Sequence, residues 1–234
     1  MIVLALTLVL MLVVPAEAGS TRELGREHGE GFANQHWGPG CESAEKQCRA
    51  IARLSGYQVT LADHVRPFLV KHRGWIVAFT LKVGKPTASQ TNLFENQFGK
   101  PSARLSVLKP PPKNKRERGH FVLELVGQTR RYDLTKHFGK KVRFKLSKPL
   151  VIPAESTVAV TAPTWAPVFA SSAHADSGKN YEWRASQQKG QCGNAALQNA
   201  HQIVGNVSYY DCHYKGAQLD YSATFTTRRP KGSG

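Results

Sequence analysis

Three sets of residues in this chain have types and spacings that could do chemistry. Four cysteines fall into two close pairs, aromatic side chains sit among prolines, and cations cluster in one run. Cys41 lies near Cys48, and Cys192 near Cys212. A thiol can serve as nucleophile, metal ligand or half of a disulfide. Neither pair has C-x-x-C spacing or an ordered His pair beside it, so zinc fits poorly. Local pairing, Cys41 with Cys48 and Cys192 with Cys212, is the simplest of three possible connectivities. A Cys192–Cys212 bridge would close a loop of about 20 residues and contribute about 3 kcal/mol in the chain-entropy picture.

The aromatic set offers a binding site. Trp165 stands between Pro163 and Pro167 in a stretch from Thr161 to Phe169 that reads as a rigid, extended loop. Tyr181-Glu182-Trp183-Arg184 follows a Gly/Ser/Asp/Asn-rich stretch. Trp and Tyr faces stack on the C–H face of a sugar ring, and Arg can hydrogen-bond its hydroxyls. Trp165, Tyr181, Trp183 and Arg184 are therefore the expected ligand-binding residues. The competing reading is that Trp165 and Trp183 cap a hydrophobic core, and Trp75 is assigned to that core.

The cations cluster between Lys109 and His120 (KPPPKNKRERGH), where three prolines stiffen the start of an exposed loop. Lys113, Lys115, Arg116 and Arg118 form a possible anion-binding finger; the alternative is a solvated turn. The whole chain carries 32 Lys+Arg against 16 Asp+Glu, a formal charge of +16. Such a balance attracts anionic partners. Outside that run the basic residues are dispersed, without a recognition helix or stacking motif, so nucleic acid is not the expected partner.

Catalytic signatures are weak. Gly190-Gln191-Cys192-Gly193-Asn194 resembles the stretch around the nucleophile of papain-like proteases. That likeness covers five residues, lacks the second Cys and following aromatic, and leaves too short a chain for the usual downstream His and Asn. G-x-S-x-G, H-E-x-x-H, the P-loop and the dinucleotide fingerprint are all missing. A glycosidase needs two facing carboxylates. Glu95, Asp133, Asp176, Glu182, Asp211 and Asp220 are available, but nothing pairs them. No catalytic residue, metal ligand or cofactor is assigned. Asn206-Val207-Ser208 is a glycosylation sequon.

The elements that must position these groups read mainly as strands. Residues 1–18 look like a signal peptide: Met1 to Val14 is apolar except Thr7, Pro15 breaks the run, and Ala16-Glu17-Ala18 suits cleavage. The apolar run falls short of the roughly 20 residues of a membrane span. Cleavage removes Glu17 alone among the charged residues, leaving 32 basic against 15 acidic groups, or +17. An exported product with no membrane span after cleavage is expected. Residues 19–56 read as a flexible lead-in with a possible short helix, Glu42 to Leu54. His28 and His36 within it are read as part of a solvated tail. From residue 57 to 227, runs such as Trp75-Val77-Phe79-Leu81-Val83, Val142-Phe144-Leu146 and Leu219-Tyr221-Ala223-Phe225 alternate at period two. Pro153-Ala154-Glu155-Ser156 reads as a turn between two of them. No helix of ten residues is expected between the strands. The expectation is one all-β domain, an antiparallel, jelly-roll-like β-sandwich, with a basic tail over 228–234.

Three stretches carry a likeness to a known group. Gly74-Trp75-Ile76-Val77 with Gly84-Lys85-Pro86-Thr87-Ala88, the stretch Val158 to Pro167, and Trp183-Arg184-Ala185-Ser186 through to Tyr221-Ser222-Ala223 resemble secreted β-sandwich proteins of actinobacteria. The resemblance implies a domain similar in architecture to carbohydrate-binding modules. It implies no catalytic residues. Together with the charge, it leads to the expectation of a secreted, non-catalytic protein that binds an anionic cell-surface or extracellular polysaccharide. A structural protein without a small ligand and a carbohydrate-active hydrolase are the alternatives.

Overall fold

The computed structural model describes residues 21–25, 50–62, 64–171, 180–193 and 199–230. The expected signal peptide, Cys41, Cys48, His28 and His36 lie outside the described residues, as does the tail beyond Pro230. Two antiparallel sheets form a sandwich. The smaller contains β1 (Thr21–Leu24), β16 (Tyr221–Thr226), β5 (Gly74–Lys82) and β9 (Lys141–Ile152), in that spatial order. The larger runs β13 (Val207–Tyr209), β7 (Val122–Gln128), β6 (Ser102–Lys109), β10 (Ser156–Ala166), β2 (Ile51–Leu61), β12 (Glu182–Ala185), β14 (Cys212–Lys215). Short strands β3 (His64–Val65), β4 (Leu69–Val70) and β8 (Tyr132–Asp133) pair beside that path. β11 (Phe169–Ser171) and β15 (Ala217–Leu219) make a separate two-stranded ribbon.

The all-β expectation holds, and the alternating strands supply the main core. Phe79, Leu81, Leu105, Val107, Val158, Val160, Tyr221 and Phe225 meet between the sheets. Phe68 stacks on Tyr221 at 4.1 Å between centroids. The expected turn after Ile152 is present, with Glu155 at φ 57.

Several expectations are corrected. Thr21–Leu24, read as linker, is strand β1, hydrogen-bonded along β16. Ile51–Leu54, read as the end of a short helix, opens β2 instead. The helical face seen in Ala50, Ile51 and Leu54 arises because Arg53 adopts φ 45, next to a register shift against β10 that changes which residues face inward. Trp75 is only half-buried, as is Val77, because β5 bulges at Val77, the one residue left over between Ile76–Phe225 and Ala78–Thr224 in its pairing with β16. The bulge puts Ile76 inside and turns the period-two pattern over.

An 11-residue helix α1 (Ala88–Phe98) stands between β5 and β6, where no such helix was expected. Its start is a capping box: Thr87 accepts from the Gln90 N–H, and Gln90 accepts from the Thr87 N–H. Gly99 ends it, at φ 81. Phe94 and Phe98 anchor the helix against Trp165.

Candidate functional site

Three of the four expected ligand residues are in the interior. Trp165 is fully buried, its Nε1–H donates to the Gly99 carbonyl at 2.8 Å, and its ring stacks on Phe94 at 5.0 Å. The prolines that suggested a loop flank the end of β10, so Trp165 is a strand residue that anchors α1. Trp183 alternates inward on β12, stacking on Tyr214 at 4.6 Å and 16°. Tyr181 is buried with Leu61 and Ala62. None of these rings is open to a sugar, which corrects the expected platform. Arg184, between Trp183 and Ala185 on β12, faces the other way.

The outward side of the large sheet is where Arg184 leads. On β2 the outward residues are Ser55, Tyr57 and Val59; on β10, Thr161, Ala159 and Thr157; on β6, Ser106 and Leu108. These rows are neighbours in register. One half of this face is polar and covered. Thr161 Oγ1 lies 2.7 Å from both Ser55 Oγ and Ser106 Oγ, and the His201 N–H donates to Ser55 Oγ at 3.0 Å. His201 itself is buried. Its Nε2–H donates to the Asn206 carbonyl at 2.9 Å, which leaves Nδ1 to accept from the Tyr210 hydroxyl at 3.3 Å. Burial pushes the imidazole below its ordinary pKa. His201 is thus a neutral structural group with both nitrogens engaged.

The other half of the face is apolar and open. Tyr57, Val59, Leu108, Leu123 and Thr157 form the floor of a groove of about 430 Å³. Pro110 and Phe121 wall one side, and they are the two ends of the basic loop. Arg66, Leu69 and Glu155 close one end, and Arg184 flanks Tyr57. The volume lies within the ordinary range for small-molecule sites.

Electrostatics and hydrogen bonding mark this groove. The Arg184 guanidinium lies 4.7 Å from the centroid of Phe121, and its Nη1 donates to the Tyr210 carbonyl at 2.9 Å. Among the described residues its Nε and Nη2 have no acceptor. Burial pushes the Tyr57 phenol well above its ordinary pKa, while the nearby Arg184 and Arg66 charges pull it back. The ring therefore stays neutral, and its hydroxyl has no hydrogen-bond partner among the described residues. Arg66 and Glu155 adopt left-handed φ values of 55 and 57, a conformation that costs a non-glycine residue about 1–2 kcal/mol. Both side chains line the groove. Neither forms an ion pair within 4.0 Å among the described residues.

The basic loop is tied down at its exit. Asp211 accepts from the Phe121 N–H at 2.7 Å, lies 2.7 Å from His120 Nδ1, and accepts from the Lys189 N–H at 3.1 Å. Burial raises the Asp211 carboxyl, but these donors outweigh it and hold it below its ordinary pKa. Within the loop a 3₁₀ turn spans Lys113–Lys115, and Arg116 Nε donates to the Pro111 carbonyl at 2.9 Å. Lys113, Lys115, Arg116 and Arg118 are all exposed, in the loop between the groove-lining Pro110 and Phe121.

Cys192 is bonded to Cys212, S–S 2.03 Å, which leaves no thiolate for the protease-like chemistry considered above. Among the described residues no group of three or more His, Cys, Asp or Glu could hold a metal ion. Sequence reasoning found Arg184 but missed Tyr57, Arg66 and Phe121. The outward row Ser55-Tyr57-Val59, with an aromatic between a polar and an aliphatic residue, was the signal available for Tyr57.

Comparison with known protein families, with curated proteins and with solved structures yields no match.

Proposed function

We propose that this protein is an exported, non-catalytic binding protein for an acidic polysaccharide, and that one sugar ring of the polymer sits in the outer-face groove. The observation that carries this reading is the combination in one apolar groove of a fixed arginine with free donors, a second arginine, a stacked aromatic wall and an unpartnered phenol. Phe121 is 42% exposed, and the part of its ring left uncovered by Arg184 and Tyr57 would meet the C–H side of a sugar ring. Arg184 and Arg66 suit a carboxylate, since a guanidinium binds carboxylates in a fixed fork geometry. The exposed cations of the 113–118 loop add long-range attraction for a polyanion.

Glu155 is the single carboxylate among the groove-lining residues. Glycosidases of both stereochemical kinds use two, so binding is the better-supported reading over hydrolysis. Export rests on the apolar N-terminal run and small residues before Gly19, and a disulfide suits an oxidising compartment. Among the described residues no helix is long and apolar enough to cross a membrane.

The test is calorimetric titration of the purified protein with oligogalacturonate and with neutral dextran oligomers. Oligogalacturonate is expected to bind and dextran not to. Phe121→Ala and Arg66→Gln are each expected to weaken binding about tenfold, the scale of one lost stacking or charge-assisted contact. Equal affinity in wild type and both variants would sink the groove as the site.

A further inference from the structure

The sandwich has a second opening, on its side between β7 and β9, of about 470 Å³. Val126, Leu146, Leu150 and Tyr132 line it, and the first three pack directly against the main core. Two cations also line it, Arg130 and Lys148, both exposed; no acidic residue does. Arg130 is held in place, its guanidinium 4.8 Å from the Tyr132 ring centroid.

The backbone on both walls departs from regular pairing at this opening. Ile76 pairs with Leu150 and Ala78 with Lys145, so one β5 residue stands opposite four β9 residues, Leu146 to Pro149. Across the opening, Val107 pairs with Gly127 and Leu108 with Leu125, which leaves Val126 as a bulge in β7. Bulges re-aim side chains and recur beside functional sites. Gly127 sits at the wall: a Cβ there would lie 3.2 Å from Leu150 Cδ1, so any side chain would push into the space between the strands.

We propose that this opening binds a single-chain amphiphile with an anionic head. The alkyl chain enters between the sheets against Leu146, Leu150 and Val126, and the head pairs with Arg130 and Lys148. A cleft whose apolar residues pack on the core, with Gln128, Thr129 and Ser147 beside them and cations but no acids in its lining, complements that chemistry and disfavours an amine. The site is separate from the polysaccharide groove, which shares no residue with it.

The probes are octanoate, decanoate, dodecanoate, dodecyl phosphate, dodecylamine and uncharged dodecanol, titrated calorimetrically below their micelle or solubility limits. Affinity for the carboxylates is expected to rise about fourfold per added methylene. Dodecylamine is expected to bind at least about tenfold more weakly than dodecanoate, given one opposed charge pair. Tighter binding of dodecyl phosphate than of dodecanoate would assign a phosphorylated head, and the reverse a fatty acid. Lys148→Glu, at an exposed position, should weaken dodecanoate about tenfold and leave dodecanol binding unchanged. Gly127→Val should weaken both; its fold is checked by near-ultraviolet circular dichroism, and if it fails to fold the Lys148→Glu result decides. No dodecanoate binding, equal binding of dodecylamine, or insensitivity to Lys148→Glu would each overturn the proposal. Loss of dodecanoate binding in Phe121→Ala would place the amphiphile in the groove instead, and would also overturn it.

Discussion

Two buried titratable side chains contribute to the pH response in opposite senses. Asp220 is fully enclosed, and burial raises its carboxyl to about 7, against the pull of Lys82 and of a hydrogen bond from Gln218 Nε2. The folded protein then holds this proton more tightly than the unfolded chain between 3.8 and about 7. Its contribution is complete at low pH and is lost as pH rises through that interval. His201 acts in the opposite sense. Its folded pKa lies below the ordinary 6.5, so its contribution is complete above that value and is lost as pH falls. The two effects overlap and partly cancel. Asp220→Asn keeps the acceptor for Gln218 and removes one titration. Its melting temperature is expected to climb as pH rises toward 6.5, whereas the wild type shows a flatter profile. Identical pH profiles for the two proteins would remove the role given to Asp220. Arg66 shows a different kind of cost at this scale. Gly or Asn would fit its φ more easily, so Arg66→Gly is expected to leave stability unchanged or improved while weakening oligogalacturonate, as read by paired urea melts and titrations.

At the level of elements, α1 shows how a short helix is made without a strong apolar stripe. Its sequence ASQTNLFENQF is mostly polar, with Leu93 63% exposed, so its stability leans on the cap and on Phe94 and Phe98. Thr87→Ala is expected to cost about 1 kcal/mol in urea unfolding with an unchanged slope. The Thr87-x-x-Gln90 pair was visible in the sequence, but its neighbours gave no 3.6-residue periodicity to confirm it. The regular strands were legible: Val142, Phe144 and Leu146 alternate as their residue types indicate. What periodicity misses is the bulge. One residue, Val77, left unpaired against β16 is enough to turn Trp75 out of the core, and nothing in the local composition marks it. The groove was harder still. Tyr57, Arg66, Phe121 and Arg184 come from segments far apart in the chain, and only register across β12, β2, β10, β6 and β7 brings them to one face. Arg184 was reachable because Trp183 beside it drew attention, yet it points away from that ring.

For the whole molecule, the Cys192–Cys212 bridge links the outer loops to the large sheet across a sequence separation of 20. Asp211, next to Cys212, holds both Phe121 and Lys189, so the bridge also stiffens the groove wall. Reduction is expected to lower stability by about 3 kcal/mol and to weaken oligogalacturonate several-fold at a temperature where the protein stays folded. Thermal melts and titrations with and without a phosphine reductant read both effects. A second whole-molecule quantity is charge. With +16 overall, polymer binding is expected to weaken as salt rises from about 0.05 to 0.5 M but to persist for short oligomers that rely on Phe121. The pairing of β1 with β16 has a further consequence. Ser222 and Thr224 donate to the Glu23 carboxylate, joining residues 199 and 201 positions apart. A ribosome or a translocation channel delivers this chain N-terminus first. β1 therefore waits, without its partner, while the 199 positions up to Ser222 emerge. The smaller sheet cannot close until β16 follows, and the apolar strand β5, which pairs with β16 as well, waits with that edge open and is a surface a chaperone would shield.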